Sequence, residues 1–248
     1  MRVTNLNRLA SAKNLSIGVS MVLVFDLDDT LYDETTFVSS GFQAVARYLL
    51  EKYRLPREAA LALMMKQVSL GRGRVFDDLL IRYGIYSKKL VKKCLSLYRL
   101  HQPAITLYPE ADACLKRFSD YPKYIVTDGN KLVQGNKIKA LGLEQRVKFC
   151  YITHRYGIKN AKPSPYCFQK ICEREKVRPQ EVIYVGDNPG KDFVGIKPLG
   201  YQTIRVRQGQ YKEVSKPPEF EADFRIKSLA ELDEVLLERI FHVEVGKE

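Results

Sequence analysis

An α/β fold built on a parallel sheet is what this chain predicts, and three observations predict it. Short apolar runs end repeatedly in polar, chemistry-bearing residues. Met21 to Phe25 runs into Asp26, Leu27, Asp28, Asp29 and Thr30; Tyr124 to Val126 runs into Thr127, Asp128 and Gly129; Val182 to Val185 runs into Gly186 and Asp187. Unbroken apolar runs of this kind fit strands covered on both faces. After the second run, helical and extended patterns alternate, as βα units require.

Taken in order, the first strand begins at Met21 and is followed by a segment, Thr35 to about Thr106, that reads as helical. Phe37, Phe42, Val45 and Leu49 recur at helical spacing, Pro56 can open the next helix, and Gly71 and Gly73 interrupt before Val75 to Tyr83. Leu90, Val91, Cys94, Leu95 and Tyr98 then form an apolar helical stripe, with Lys88, Lys89, Lys92, Lys93 and Arg99 on the same segment as a solvated face. Leu107, Tyr108 and Pro109 enter the second half. There the patterns give a helix near Val133 to Leu141, a strand near Val147 to Ile152 and a helix near Pro165 to Glu175, then strands at Val182 to Val185 and near Gln202 to Val206. Pro217 and Pro218 mark a loop, and Ser228 to Leu237 reads as a closing helix capped at Ser228, with Glu231 three residues on.

Residues two apart on an extended backbone point to the same side, so Asp26 and Asp28 face one way where the first strand surfaces. Crevices at the carboxyl ends of parallel strands are where open α/β sheets bind ligands. One carboxylate could attack while its neighbour moves a proton. Acids and Thr after an apolar run are also ordinary turn and helix-cap chemistry, but the arrangement repeats at all three strand ends. Between the second and third lies Lys162, whose flanking Pro163 and Pro165 disfavour helix and hold the segment extended. Asn188, Pro189, Gly190 and Lys191 then separate Asp187 from a further acid, Asp192.

In this order the four pieces resemble the haloacid dehalogenase-like hydrolase superfamily, from about Met21 to about Val206. The resemblance implies a Rossmann-like parallel sheet with a small all-helical cap inserted after the first strand. Residues 21–34 and 107–248 would form the core, 35–106 the cap, and 1–20 an N-terminal extension. It also implies roles: Asp26 as nucleophile, Thr127 as phosphate holder with Asp128 and Gly129 beside it, Lys162 as the lysine that follows, and Asp187 and Asp192 completing a magnesium site. Phosphatases and phosphomutases of the family carry the second Asp, here Asp28; its dehalogenases and P-type ATPases do not. The stretch from Asp26 to Tyr32 is similar to that of members acting on nucleotide monophosphates or sugar phosphates.

The residues support this chemistry on their own terms. Four carboxylates at neighbouring strand ends, those of Asp26, Asp28, Asp187 and Asp192, would repel one another by up to about 4 kcal/mol per close pair at an effective dielectric of about 20. A cation among them is therefore expected, and an all-oxygen set points to Mg²⁺. Asp26 and Asp187 are the expected direct ligands and Asp192 an outer acid orienting water or Lys162; the backbone carbonyl of Asp28 joins by resemblance. Mg²⁺, Lys162 and the Thr127 hydroxyl would neutralise a phosphate ester. Asp26 could then attack it and form an aspartyl-phosphate that water hydrolyses. Asp28 would protonate the leaving oxygen and take a proton from the attacking water. Asp29, facing the other way, is expected to cap or hydrogen-bond locally.

Composition fits a globular enzyme: 248 residues, 45% hydrophobic, a formal net charge of +12 and a pI of about 9.4. No apolar stretch approaches the roughly 20 residues that span a bilayer. Cys94, Cys114, Cys150, Cys167 and Cys172 contain no C-x-x-C pair, so a cytoplasmic protein with reduced thiols is expected. The first twenty residues lack the long apolar core of a secretory signal. Gly71, Arg72, Gly73 and Arg74 combine a loosened backbone with two planar anion forks, so Arg72 or Arg74 is a candidate contact for a distal part of the substrate. The expected partner is a small phosphorylated metabolite. A phosphomutase, or a basic nucleic-acid-binding protein on an inactive scaffold, remains the alternative; retention of all four motif elements argues against the latter.

Overall fold

β1 (Val22–Phe25) pairs in parallel with β2 (Lys123–Thr127) on one side and β4 (Val182–Gly186) on the other. The architecture grows outward from these strands. A computed structural model of the chain describes residues 21–71 and 73–245; the expectations placed on residues 1–20 and on Arg72 lie outside the described residues. β3 (Phe149–Ile152) extends the sheet beyond β2, and β5 (Gln202–Val206) and β6 (Phe224–Ile226) extend it beyond β4. The order is β3-β2-β1-β4-β5-β6, with every neighbouring pair parallel. Strand order therefore reverses at β1, the kind of switch point at which open α/β sheets bind ligands beyond the carboxyl ends of their strands.

Side-chain alternation divides the core. Leu23, Phe25, Ile125, Ile183 and Val185 face one way and pack with Ala111, Cys114 and Leu115 of α5 (Pro109–Arg117), Ile138 of α6 (Lys131–Ala140), and Leu237 and Ile240 of α8 (Glu234–Val245). Val22, Val24, Tyr124, Val126, Val182 and Tyr184 face the other way, onto Cys167, Phe168 and Ile171 of α7 (Tyr166–Glu175). Strands covered on both faces need no polar alternation, which is why the sequence showed unbroken apolar runs.

Between β1 and β2 come α1 (Glu34–Tyr53), α2 (Arg57–Leu70), α3 (Val75–Arg82) and α4 (Lys88–Leu100). They gather a core of their own around Phe42, Val45, Leu49, Met64, Phe76, Leu79 and Cys94. The Asp33 carboxylate caps α1 by accepting from Thr35 N–H at 2.8 Å, and Ser87 caps α4 by accepting from Leu90 N–H at 3.1 Å. The lysines of α4 are exposed, as a solvated helix face requires.

The structure departs from the sequence reading in three places. The segment around Lys162 is a tight turn rather than extended chain, closed by Ser164 N–H donating to the Ala161 carbonyl at 2.9 Å around a cis Lys162–Pro163 bond. Ser228 caps only a short 3₁₀ turn, Leu229–Glu231; Asp233 then accepts from Leu236 N–H at 2.8 Å, so α8 starts at Glu234 behind a second cap. Asp29 is left-handed, with φ 54°, not extended. Its carboxylate accepts from the backbone N–H groups of Glu34 and Gln210, tying the loop after β1 to the one after β5.

Candidate active site

Each strand at the switch point delivers a functional side chain. Asp26 follows β1, held by its own N–H donating to the Val185 carbonyl at 2.8 Å, and Asp187 follows β4. Asp192 folds back from the loop beyond, where its carboxylate accepts from Asn188 N–H at 2.8 Å. Oxygens of Asp26, Asp187 and Asp192 lie within 4.8 Å of one another, and all three residues are buried. A side chain at position 186 would crowd this cluster, since a Cβ there would stand 2.6 Å from Asp192 Oδ2; glycine is what lets the acid approach.

Lys162 reaches into the cluster with every hydrogen used. Its Nζ lies 2.7 Å from Asp26 Oδ1, 2.7 Å from Asp192 Oδ1 and 2.9 Å from the Tyr184 hydroxyl. Behind it, Asp128 Oδ1 accepts from Lys162 N–H at 3.0 Å and from the Thr153 hydroxyl at 2.7 Å, while Lys191 Nζ stands 3.4 Å from Asp128 Oδ2. The turn carrying Lys162 also rests on Gly195, where any Cβ would collide with the Pro163 carbonyl oxygen.

Burial pushes the Asp26 carboxyl up to about 6; Lys162 opposes the shift and Asp192 adds to it. Asp187 is pushed up to about 9, by burial first and then by Asp192 and Asp26. Desolvation opposes the charge on Lys162, but Asp192 and Asp26 more than offset it and hold the ammonium well above its ordinary value. Three buried acids thus share one ammonium at contact distance, with the Lys191 charge acting on Asp26 and Asp192 from farther off. The set is short of positive charge, and its donors are all oxygen, so it fits a hard divalent cation such as Mg²⁺.

Asp28 stands apart from that cluster. Of the four carboxylates expected to converge, three do; the fourth turns toward α6, because donors await it there. Lys137 Nζ lies 2.7 Å and the Tyr32 hydroxyl 2.5 Å from Asp28 Oδ1, and Gln134 Nε2 donates to Oδ2 at 2.9 Å. Burial works against ionisation of Asp28, but the Lys137 charge and these bonds prevail and hold it below the ordinary carboxylate range.

Thr127 ends β2 and is buried, with Oγ1 accepting from Gln134 Nε2 at 2.6 Å. Gly129 has φ 133°, and a Cβ there would press on Gln134 Cγ at 3.2 Å. Asp128, expected beside the substrate, instead anchors the backbone of Lys162 and the Thr153 hydroxyl. Arg74 is exposed and faces Asp78 at 3.8 Å one turn on. Sequence reasoning missed Tyr32, Gln134, Lys137 and Tyr184. The signal for two of them was present: Gln134 and Lys137 fall on one stripe with Ile138 and Leu141, and polar residues in an apolar stripe are unusual.

Comparison with known proteins bears on this geometry. The sequence profile of the haloacid dehalogenase-like hydrolases matches residues 21–200. The chain belongs to that family and is a hydrolase. It is 30% identical over 226 residues to a glyceraldehyde 3-phosphate phosphatase of Pyrococcus furiosus, covering 87% of this chain and 92% of the relative. It is 27% identical to (S)-2-haloacid dehalogenase 1 of a Pseudomonas strain, covering 86% of this chain and 95% of that one. Among solved structures, a magnesium-bound putative hydrolase of the family from Bacillus subtilis superposes with a TM-score of 0.62 at 21% identity, covering 88% of this chain and 99% of that one, a likeness of fold.

Proposed function

We propose that the protein is a Mg²⁺-dependent phosphatase of small phosphate monoesters, with Asp26 as nucleophile. The observation that carries this reading is the convergence of Asp26, Asp187 and Asp192 on one oxygen-lined point beside Lys162. Phosphatases among the relatives support the same class, and a sugar phosphate such as glyceraldehyde 3-phosphate is the first substrate to try. The second carboxylate, Asp28, favours phosphate transfer over dehalogenation, because an alkoxide needs a proton to leave and a halide does not.

Asp26 and Asp187, with the Asp28 backbone carbonyl, would hold the cation, and Asp192, engaged by Lys162 and Asn188 N–H, would orient Lys162 or water beside it; when bound the ion supplies charge neutralisation for the acids and the phosphate. Lys162 orients Asp26 and keeps its carboxylate ionised against burial. The Thr127 hydroxyl, accepting from Gln134, has its own hydrogen left to donate to a phosphate oxygen. Asp26 attacks phosphorus; Asp28 passes a proton to the departing alcohol and recovers it from the water that frees the phosphate. The helices α1–α4 act as a cap that excludes water and selects the substrate.

Among the described residues no helix is long and apolar enough to cross a membrane. All five cysteines are unpaired, in keeping with a reducing, cytoplasmic setting. Release of inorganic phosphate from triose, hexose and nucleoside monophosphates, measured with Mg²⁺ and with chelator, tests the reading. Mg²⁺-dependent release that Asp26→Asn abolishes is expected; no release from any ester would overturn it.

A further inference from the structure

Helix α6 inserts two polar side chains where its neighbours are apolar. Gln134 and Lys137 are nearly fully buried, on the same face as Ile138. The Lys137 ammonium lies 4.3 Å from the centre of the Phe37 ring and 5.8 Å from that of Tyr32, and 3.7 Å from Glu34 Oε1. Burying an ammonium among aromatic rings is costly unless it is well paired, and its shortest contact is Asp28 Oδ1 at 2.7 Å.

We propose that Lys137 and Gln134 are positioning residues for proton transfer, clamping the Asp28 carboxylate so that one face of Oδ2 is turned to the phosphate held at Thr127. The inference rests on the phosphatase reading and names the residues that make its proton step work. A carboxylate offers about four acceptor positions. Lys137 and Tyr32 fill those of Oδ1, and Gln134 takes one on Oδ2, leaving one open. Gln134 joins that oxygen to Thr127 through a single amide nitrogen, at 2.9 and 2.6 Å, so the proton-transfer group and the phosphate-holding hydroxyl are fixed relative to each other. Carboxylate and hydroxyl both accept from it, which sets the orientation of the amide. Gly129 clears the space Gln134 occupies.

In the first step the bond between phosphorus and Asp26 forms as the ester P–O bond breaks, and the proton carried by the ester monoanion passes by way of the Asp28 Oδ2 carboxylate to the alcohol oxygen. In the second, water attacks phosphorus, Oδ2 takes its proton and gives it up to the departing phosphate, and Asp26 leaves phosphorus as a carboxylate. Turning the carboxyl away from this geometry breaks the Lys137 and Tyr32 contacts together.

The test uses kcat/KM, which reports steps through alcohol release, for an alkyl ester (glycerol 3-phosphate) and an aryl ester with a stable leaving group (p-nitrophenyl phosphate). It is applied to the wild type, Lys137→Met, Lys137→Arg, Gln134→Leu and Asp28→Asn, with melting curves to confirm folding. Lys137→Met is expected to lose about 100-fold on the alkyl ester and no more than about threefold on the aryl ester, with Lys137→Arg recovering part of the loss. Gln134→Leu should show the same split and decides the matter should Lys137→Met fail to fold. Equal losses on both esters, or none, while Asp28→Asn still splits them, would overturn the clamp. Absence of a split in Asp28→Asn would overturn instead the acid-base reading beneath it.

Discussion

Asp26 and Asp28 stand two residues apart, yet they occupy opposite electrostatic regimes. Asp26 sits among acids with one ammonium in contact, and burial lifts its carboxyl to about 6. Asp28 accepts from a lysine, a tyrosine and a glutamine, and its carboxyl is held below the usual range. Identical side chains on one short segment therefore meet different surroundings, because the turn before α7 and helix α6 supply different neighbours. A region starved of positive charge attracts a cation; a region already paired keeps a carboxylate fixed and ready for proton exchange.

Asp26→Asn strikes the charge-starved side hardest: phosphate release should fall by about 10⁴-fold or more with the melting temperature kept or raised, since an amide is no nucleophile and costs less to bury. Lys162→Met comes next, with an expected loss of about 10²- to 10³-fold in kcat and a lowered melting temperature, because three acids then lose the one ammonium in contact with them.

The pH dependence of stability sharpens the contrast further. Asp26 and Asp187 both have folded values above the ordinary carboxylate value of 3.8. The stability they contribute is full below that value, and it is lost as pH rises through about 6 for Asp26 and about 9 for Asp187. The metal-free protein should therefore lose melting temperature from pH 5 to pH 9, with Mg²⁺ restoring most at the upper end. In Asp187→Asn the metal-free protein should melt about 3 °C higher at neutral pH and respond little to Mg²⁺, as differential scanning fluorimetry can show. The smallest effect is expected of Arg74→Ala, at an exposed position, with KM changing by less than about twofold.

Much of this contrast was legible in the chain. The strand ends were marked by apolar runs stopping at acids, a pattern set by burial on both faces, and so Asp26, Asp187, Asp192, Lys162 and Thr127 were read in advance as one site. Asp28 was assigned to the same cluster because a period of two places it on the same side of a strand. Beyond Phe25 the chain is no longer a strand, and Lys137, more than a hundred positions away, claims the carboxylate. Asp128 looked like a substrate contact for similar reasons. The hydrogen bonds it makes depend on the turn at Lys162, which spacing alone does not reveal. The tandem caps at Ser228 and Asp233 show the same limit, since two valid helix starts five residues apart compete and packing of α8 chooses between them.

Gly195 carries no charge and touches no acid, yet the lysine that balances the acid cluster depends on it. The carbonyl of Pro163 occupies the volume that any methyl group at position 195 would claim. A substitution there would shift the turn and carry the ammonium with it, disabling the enzyme without altering a single ionisable group. Inheritance of such a fault would look, to a survey of reactive residues, like an intact protein that had fallen silent.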